Sequence, residues 1–515
     1  MINLFLQTRS WVLQSISLVR QSLKISIFFG MLYLAMYMIL PAIPGMQFVG
    51  LFSIFLWPFL TIFIIFYYSW AFSQDEATIA HSNYAPTKTF YLNPTNTLDN
   101  KVWLDIHIVG VGVFVQNNFV YFPKEEFSFA KNVLGGGGFS SIQYDLEGGN
   151  KYGFLDADVQ LLSGSFQYKE HGFALGIKAR GMMDFRNIST ELGQLFTTGP
   201  ETIATATEGV NIEANKMFLN QVIFAEFALS YSNLFYHRDH TSMGLGITGK
   251  YLMGIAGAGI RIDKSEVNIQ GDTEADYFNL NGSAAYAAPE GISSGKGFGV
   301  DFGFVYKHTL HNVSHYEPFF NINSCLPYDY KYKLSAALID LGYIQFNSGA
   351  KRYDFDSNLN LENFGMNGLG DISGESLPST SETNKFNMYT PVAVNLMGDY
   401  NFENNFYASG QLISGLFRRY SFGVKRPAML AISGRYQRKW FEASAKLSAY
   451  ERSGLRLGLG LRFAYFTIGS DNLLSYMGVQ DFTGTDLYFN LRYFLTKKPG
   501  CGKGRSRGKA GRKRK

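Results

Sequence analysis

The 515-residue chain has only two cysteines, Cys325 and Cys501, far apart in sequence with nothing to pair them. That excludes a disulfide framework and a Cys-ligated zinc fold. Charge is also scarce. Asp, Glu, Lys and Arg together make 17%, against about 25% in an ordinary soluble protein. Long apolar runs are missing beyond residue 100, and the mean hydropathy is −0.04. A helical membrane bundle is therefore excluded, as are a coiled coil and a disordered chain. What is abundant is aromatic and glycine: 46 Phe, 32 Tyr and 54 Gly. Rich in Gly, Tyr and Phe and poor in charge is the profile of a transmembrane β-barrel.

The net charge of +5 hides three segments. Residues 1–74 carry three basic residues and no acidic one, and residues 497–515 carry ten and none. Between them stand 33 basic against 41 acidic residues, a net of −8. The body is mildly acidic, and contact with nucleic acid is not expected. The basic stretch 496–515 is expected to be a solvated disordered tail.

Two apolar runs, Ile25–Leu40 and Phe48–Phe72, precede the body. Ala71 and Ser73 then stand at the −3 and −1 positions of a signal-peptidase site before Gln74. Residues 1–73 are expected to be a secretory leader, with a start codon called too early (Met31 or Met46 instead) as one explanation of its length. The competing expectation is a retained helical hairpin in the inner membrane carrying a periplasmic β-domain. Residues 74–100, with Asn93-Pro94, show no alternation and are expected to form an N-terminal hatch.

From residue 101 to 495 period-2 alternation recurs. Leu455, Leu457, Leu459, Leu461 and Phe463 alternate with Arg456, Gly458, Gly460 and Arg462. Met243, Leu245, Ile247 and Tyr251 lie opposite Gly244, Gly246, Thr248 and Lys250. Runs of about nine to twelve residues suffice for a tilted strand to cross a bilayer. Aromatic pairs at run ends, Tyr121-Phe122, Phe235-Tyr236 and Tyr493-Phe494, suit an interfacial girdle. Backbone in lipid must satisfy its own hydrogen bonds, so such a sheet must close. The expectation is an all-β fold: a closed antiparallel transmembrane β-barrel of about 14 strands in the cell outer membrane. A large soluble β-sandwich is the alternative. Long polar loops are expected at 187–220, with the Thr197–Thr207 stretch, and at 351–388, with Ser373–Ser381. The Gly135–Gly138 run is read as flexible backbone.

Chemistry-bearing motifs are sparse. His237 with His240, and His308 with His311 and His315, fall in turns rather than on a helix, which does not suit a shared metal. Gly291-Ile292-Ser293-Ser294-Gly295 fits a bare G-x-S-x-G but sits in a Gly/Ser loop without the strand–turn–helix that a nucleophile elbow needs. No catalytic, metal or cofactor set emerges, and no enzyme is expected. Lys250, Arg456 and Arg462 are expected to line the lumen, where charges more often form structural ladders than binding sites.

Several short motifs, in order, carry a resemblance. They are Asn93-Pro94, the GVGVFVQNN of residues 110–118, Lys250 to Gly254, Ile262 to Glu266, Ala337 to Ile344, and Ser470 to Leu474 before a closing strand. With them the chain resembles an uncharacterised outer-membrane barrel family of the Bacteroidota, a domain of unknown function. That family looks similar to FadL-like fatty acid transport porins and to PorV-like barrels of secretion. The resemblance implies a fourteen-stranded barrel with an N-terminal hatch and supplies no ligand residues. Such a barrel, besides meeting the lipid bilayer, would bind or pass small apolar molecules. Alternatively it would be a non-transporting scaffold for secretion or surface-assembly proteins.

Overall fold

The computed structural model describes residues 79–497, apart from 99, 126–141, 192, 194–209, 271–273, 289–290, 315–317, 320–328, 360–363, 366–380, 417–421 and 452–453. The leader, the cleavage position, Cys325, Cys501, the tail beyond 497, the Gly135–Gly138 run and the Thr- and Ser-rich stretches up to Thr380 lie outside the described residues. The chain divides into two compact units. The smaller comprises 1–71, 273–276 and 361–378. Within it, Phe364–Gly365 pairs antiparallel with Ala275 and Glu274. The larger comprises 72–272, 277–360 and 379–515.

The strands form a closed antiparallel barrel of 14 staves. In chain order these are β1 (Leu104–Asn117), β2 (Lys151–Gln160 and Ser163–Tyr168), β3 (His171–Ile188), β4 (Val210–Arg238) and β5 (Thr241–Gln270). β6 (Glu274–Ala287 and Gly295–Thr309), β7 (Tyr330–Phe346 and Ala350–Leu359) and β8 (Ser381–Thr383, Phe386–Tyr389 and Ala393–Asn401) follow. β9 (Phe406–Gly415), β10 (Met429–Gln437), β11 (Phe441–Tyr450), β12 (Leu455–Phe463), β13 (Phe466–Ser470) and β14 (Asp486–Leu495) complete the wall. Each stave pairs with the next, and β14 returns to β1 from Leu104↔Leu495 to Phe114↔Asp486. Closure removes the unpaired edges that neither lipid nor water-free contact would tolerate.

Alternation explains the wall. Leu455 is 57% exposed and Phe463 70%, while Arg456 and Arg462 between them are 3% and 1%. A soluble protein would invert this, so the apolar face is the one turned outward. Three connections at one end are two-residue turns, at 169–170, 239–240 and 464–465. Lys169, Asp239 and Ala464 take positive φ there (53°, 51° and 50°), as tight hairpin turns require. Exposed Phe235, Tyr236 and Tyr493 ring that end, where Tyr306 stacks on Tyr332 and Tyr465 lies tilted against Tyr493. Phe494 instead turns inward and packs against Tyr84.

Stave length departs from the expected nine to twelve residues. β4 has 29 and β5 has 30, whereas β10 to β12 have nine or ten. Bulges explain why the long staves escaped notice. The β4–β5 register slips between Ile223 and Phe224 and again between Leu234 and Tyr236, and each slip resets the alternation.

Candidate functional site

The barrel interior is where the polar faces converge. Residues 79–98 are all buried there. They include a helical turn, Pro86–Thr89, and a 3-10 turn, Pro94–Thr97, each opened by a proline that suits a helix start. Asn93 shows why Asn-Pro stands here. Its side-chain oxygen accepts from Thr95 N at 2.9 Å and from Thr95 Oγ1 at 2.7 Å, and its Nδ2 donates to the carbonyls of Phe304 and Ala336, each at 3.3 Å. One side chain thus caps the turn and bonds to two wall strands. Gly303 makes this possible, because a Cβ there would lie 2.1 Å from Asn93 Oδ1. Gly176 likewise leaves room for the Tyr91 hydroxyl.

Polar bonds hold the rest of this segment. Ser82 Oγ donates to Glu442 at 2.8 Å, Asn83 Nδ2 to Tyr330 Oη at 2.9 Å, Thr87 N to Asp105 at 3.1 Å, and Lys101 Nζ to Asp329 at 2.7 Å. Arg492 Nη1 donates to the Tyr84 carbonyl at 2.7 Å, and Asn395 Nδ2 to that of Leu92 at 2.9 Å. Burial pushes the His81 imidazole down to about 3 and the Tyr84 hydroxyl up to about 12.

Beside this segment lies an ionic hub. Lys250 Nζ is 2.7 Å from both Asp301 and Asp340, and 3.6 Å from Glu226. Asp340 also takes Arg180 at 3.0 Å and Arg426 at 2.7 Å. Asp340 has φ +56° at a point where the β6–β7 register slips, so it leaves the regular pleat and turns its carboxylate inward. Its backbone N donates to Asp301 and its carbonyl accepts from Thr390 at 2.6 Å. Asp340, Asp301, Arg180 and Glu226 were not singled out in the sequence. Asp301 and Glu226 alternate visibly with apolar neighbours, whereas Asp340 is hidden in an apolar run.

The three residues expected to line the lumen are all buried on the inward face. Lys250 is in the hub. Arg462 pairs with Glu442 at 3.0 Å, donates to the carbonyls of Arg438 and Lys439, and lies over Tyr84. Arg456 lies over the rings of Phe114 and Tyr450. The structure therefore does not bring the three together; they occupy separate neighbourhoods.

Of the histidines noted in the sequence, His240 and His308 come together as tilted rings 5.8 Å apart. His240 Nδ1 meets the Thr309 carbonyl at 2.9 Å and His308 stacks on Tyr332, while His315 lies outside the described residues. Among the described residues no group of three or more His, Cys, Asp or Glu side chains could hold a metal. Gly291-Ile292-Ser293-Ser294 runs directly into the β6 strand at Gly295, with no helix behind it.

Among the described residues, two of the buried apolar clusters are large. One joins Phe224, Phe346, Phe386, Phe422 and Val424; the other joins Phe114, Ile413, Met429 and Tyr450. The wall is interrupted in β8 at residues 390–392, between Phe386–Tyr389 and Ala393–Asn401. A cleft of about 350 Å³ sits at this break, lined by Phe298, Leu341, Tyr343, Tyr389, Val392 and Val424 among others. Phe298, Leu341 and Tyr343 belong to the outer face, and Val424 to the first interior cluster.

With that geometry in view, residues 94–471 match the family described as Family of unknown function (DUF5723). The chain belongs to this family. It is the family of unknown function to which the short motifs pointed, and it assigns no ligand. No curated protein matches the chain. Among solved structures, the Ralstonia pickettii toluene transporter TbuX is similar at 8% identity and a TM-score of 0.38, covering 79% of this chain and 94% of that one. A mutant of the monoaromatic hydrocarbon channel TodX is similar at 10% identity and a TM-score of 0.36, covering 78% and 93%. A Pseudomonas aeruginosa FadL homologue is similar at 7% identity and a TM-score of 0.20, covering 79% and 93%. With identities this low, the function of this family member is read from its own side chains.

Proposed function

We propose that this DUF5723 barrel sits in the outer membrane and binds small apolar molecules, passing them through an interior closed by residues 79–100 acting as a hatch. The observation that supports this reading is the cleft at the β8 break. Its outer lining is the apolar, membrane-facing wall and its inner lining is Val424, which is also part of a buried apolar cluster. A small apolar molecule partitioned in lipid meets a concave apolar surface there, the usual shape of a small-molecule site. Passage beyond the cluster would require the hatch or the hub to move, since ion pairs and the N-terminal segment occupy the interior. No catalytic role is assigned.

A second reading is favoured by that same occupancy: a non-transporting barrel that serves as a scaffold or partner in secretion or surface assembly. Uptake of toluene into liposomes containing the purified full chain, together with solvent extraction of the protein, separates the two. Saturable uptake or an extracted apolar molecule supports the carrier. Neither flux nor a bound molecule, with a stoichiometric protein partner recovered by crosslinking in cells, supports the scaffold.

A further inference from the structure

Every other arginine buried in the described interior has a carboxylate at hand. Arg180 and Arg426 share Asp340, and Arg186 meets Asp184, Arg435 meets Asp399, Arg462 meets Glu442 and Arg492 meets Asp105. Arg456 differs. It is 3% exposed, and among the described residues no carboxylate oxygen reaches ion-pairing distance of it. Its Nη2 donates one long bond, 3.4 Å, to the Val115 carbonyl, and its Nη1 has no acceptor. Asp471 and Asp486 act on it only through space, and Asp471 is held by Lys446 and Tyr450.

Two neighbours share the condition. Ser448 is the direct partner of Arg456 across the β11–β12 pair, and its hydroxyl is unpartnered at 1% exposure. Gln116 follows Val115 on the inward face of β1, also 1% exposed, and neither its amide nitrogen nor its amide oxygen has a partner. Buried polar groups are rarely left unmade, and an arginine cannot shed its charge to escape the cost. Beside these three groups lies the apolar cluster of Phe114, Met429 and Tyr450.

We propose that Arg456, Ser448 and Gln116 form a head-group site for an organic carboxylate. The guanidinium takes the carboxylate by its planar fork, with Ser448 Oγ and Gln116 Nε2 donating to the same group. The apolar part of the ligand lies along Phe114, Met429 and Tyr450. One guanidinium can balance a single negative charge, and the nearby Asp471 and Asp486 would repel any further one. The proposal rests on the carrier reading and adds that the molecule carried has one negative charge.

The test measures binding of benzoate and octanoate, each beside its uncharged counterpart (toluene, octane), to the purified full chain in detergent. The carboxylates are expected to bind at least tenfold more tightly than the neutral molecules. Arg456→Gln is expected to lose that preference, and Arg456→Lys is expected to keep part of it. Carboxylate affinity equal in wild type and Arg456→Gln overturns the site. Neutral binding without carboxylate binding also overturns it, while leaving the carrier reading intact. Binding of neither class removes both. Should Arg456→Gln fail to fold, Ser448→Ala with Gln116→Leu is measured instead. A severalfold weaker carboxylate affinity is then expected, and unchanged affinity overturns the site.

Discussion

The hub around Asp340 and the neighbourhood of Arg456 are built from the same material and reach opposite ends. Both lie on the inward face of the barrel, and both place cations beside aromatic rings. In the hub, Lys250, Arg180 and Arg426 converge on the carboxylate of Asp340, whose backbone N–H donates to Asp301. At Arg456 the cation meets ring faces and one distant carbonyl. A buried charge whose partners are all supplied by the chain is structure, since breaking the set leaves an uncompensated ion. A buried charge without a supplied partner is where chemistry from outside can enter.

The comparison can be broken from its paired side. Asp340→Asn would leave three cations around a neutral amide, an expected destabilisation of about 3–5 kcal/mol. A lowered urea midpoint and early loss of heat-modifiable migration would report it, and an unchanged midpoint would mean that the hub holds nothing together. A smaller effect is expected at the N-terminal segment. Asn93→Ala removes its bonds to Thr95, Phe304 and Ala336. Roughly 1–3 kcal/mol for the buried donor and acceptors left unmade should appear as faster proteolysis within residues 79–103. The barrel itself should stay intact.

His81 is a third case, a buried group that avoids the problem by staying neutral. Its pKa falls to about 3 from 6.5, chiefly through burial, with Asp399 pulling it up and Arg435, Lys333 and Lys446 pushing it further down. Because the folded pKa is the lower one, its contribution is complete above pH 6.5. It is lost as pH falls from 6.5 toward 3, by up to about 1.4 kcal/mol per pH unit. The hydrogen-exchange protection of residues 79–103, with the intrinsic pH dependence of amide exchange divided out, should therefore fall between pH 7 and pH 5.5. His81→Asn should abolish that fall, and an unaltered slope in that variant would place the pH response elsewhere.

Much of the wall was legible in sequence because lipid imposes a simple rule. Leu455 to Phe463 alternates without a fault and so do the exposures, and fourteen staves match the expected number. Stave length was less legible, because the β4–β5 register slips erase the period that marks a strand. Asp340 was hidden for the same reason: it sits at a bulge, in an apolar run. The interior was legible only by face. Lys250, Arg456 and Arg462 read alike along their strands. What separates them is which residue stands on the neighbouring staves: Glu442 opposite Arg462 and Ser448 opposite Arg456 on β11, and Asp301 and Asp340 on β6 and β7 beside Lys250. Asn93-Pro94 was visible as part of the stretch expected to form a hatch, but its bonds to β6 and β7 were not.

The most direct measurement of the central claim is equilibrium unfolding of Arg456→Met and Arg462→Met side by side in the full chain. Arg462→Met strands Glu442 in the interior and should cost about 3–5 kcal/mol. Arg456→Met strands no carboxylate at ion-pairing distance, removes an uncompensated buried charge, and should change stability by less than about 1 kcal/mol, in either direction. Equal, large losses in both variants would contradict the account, because Arg456 would then be one more structural ion and the interior would have no place left for a charged guest.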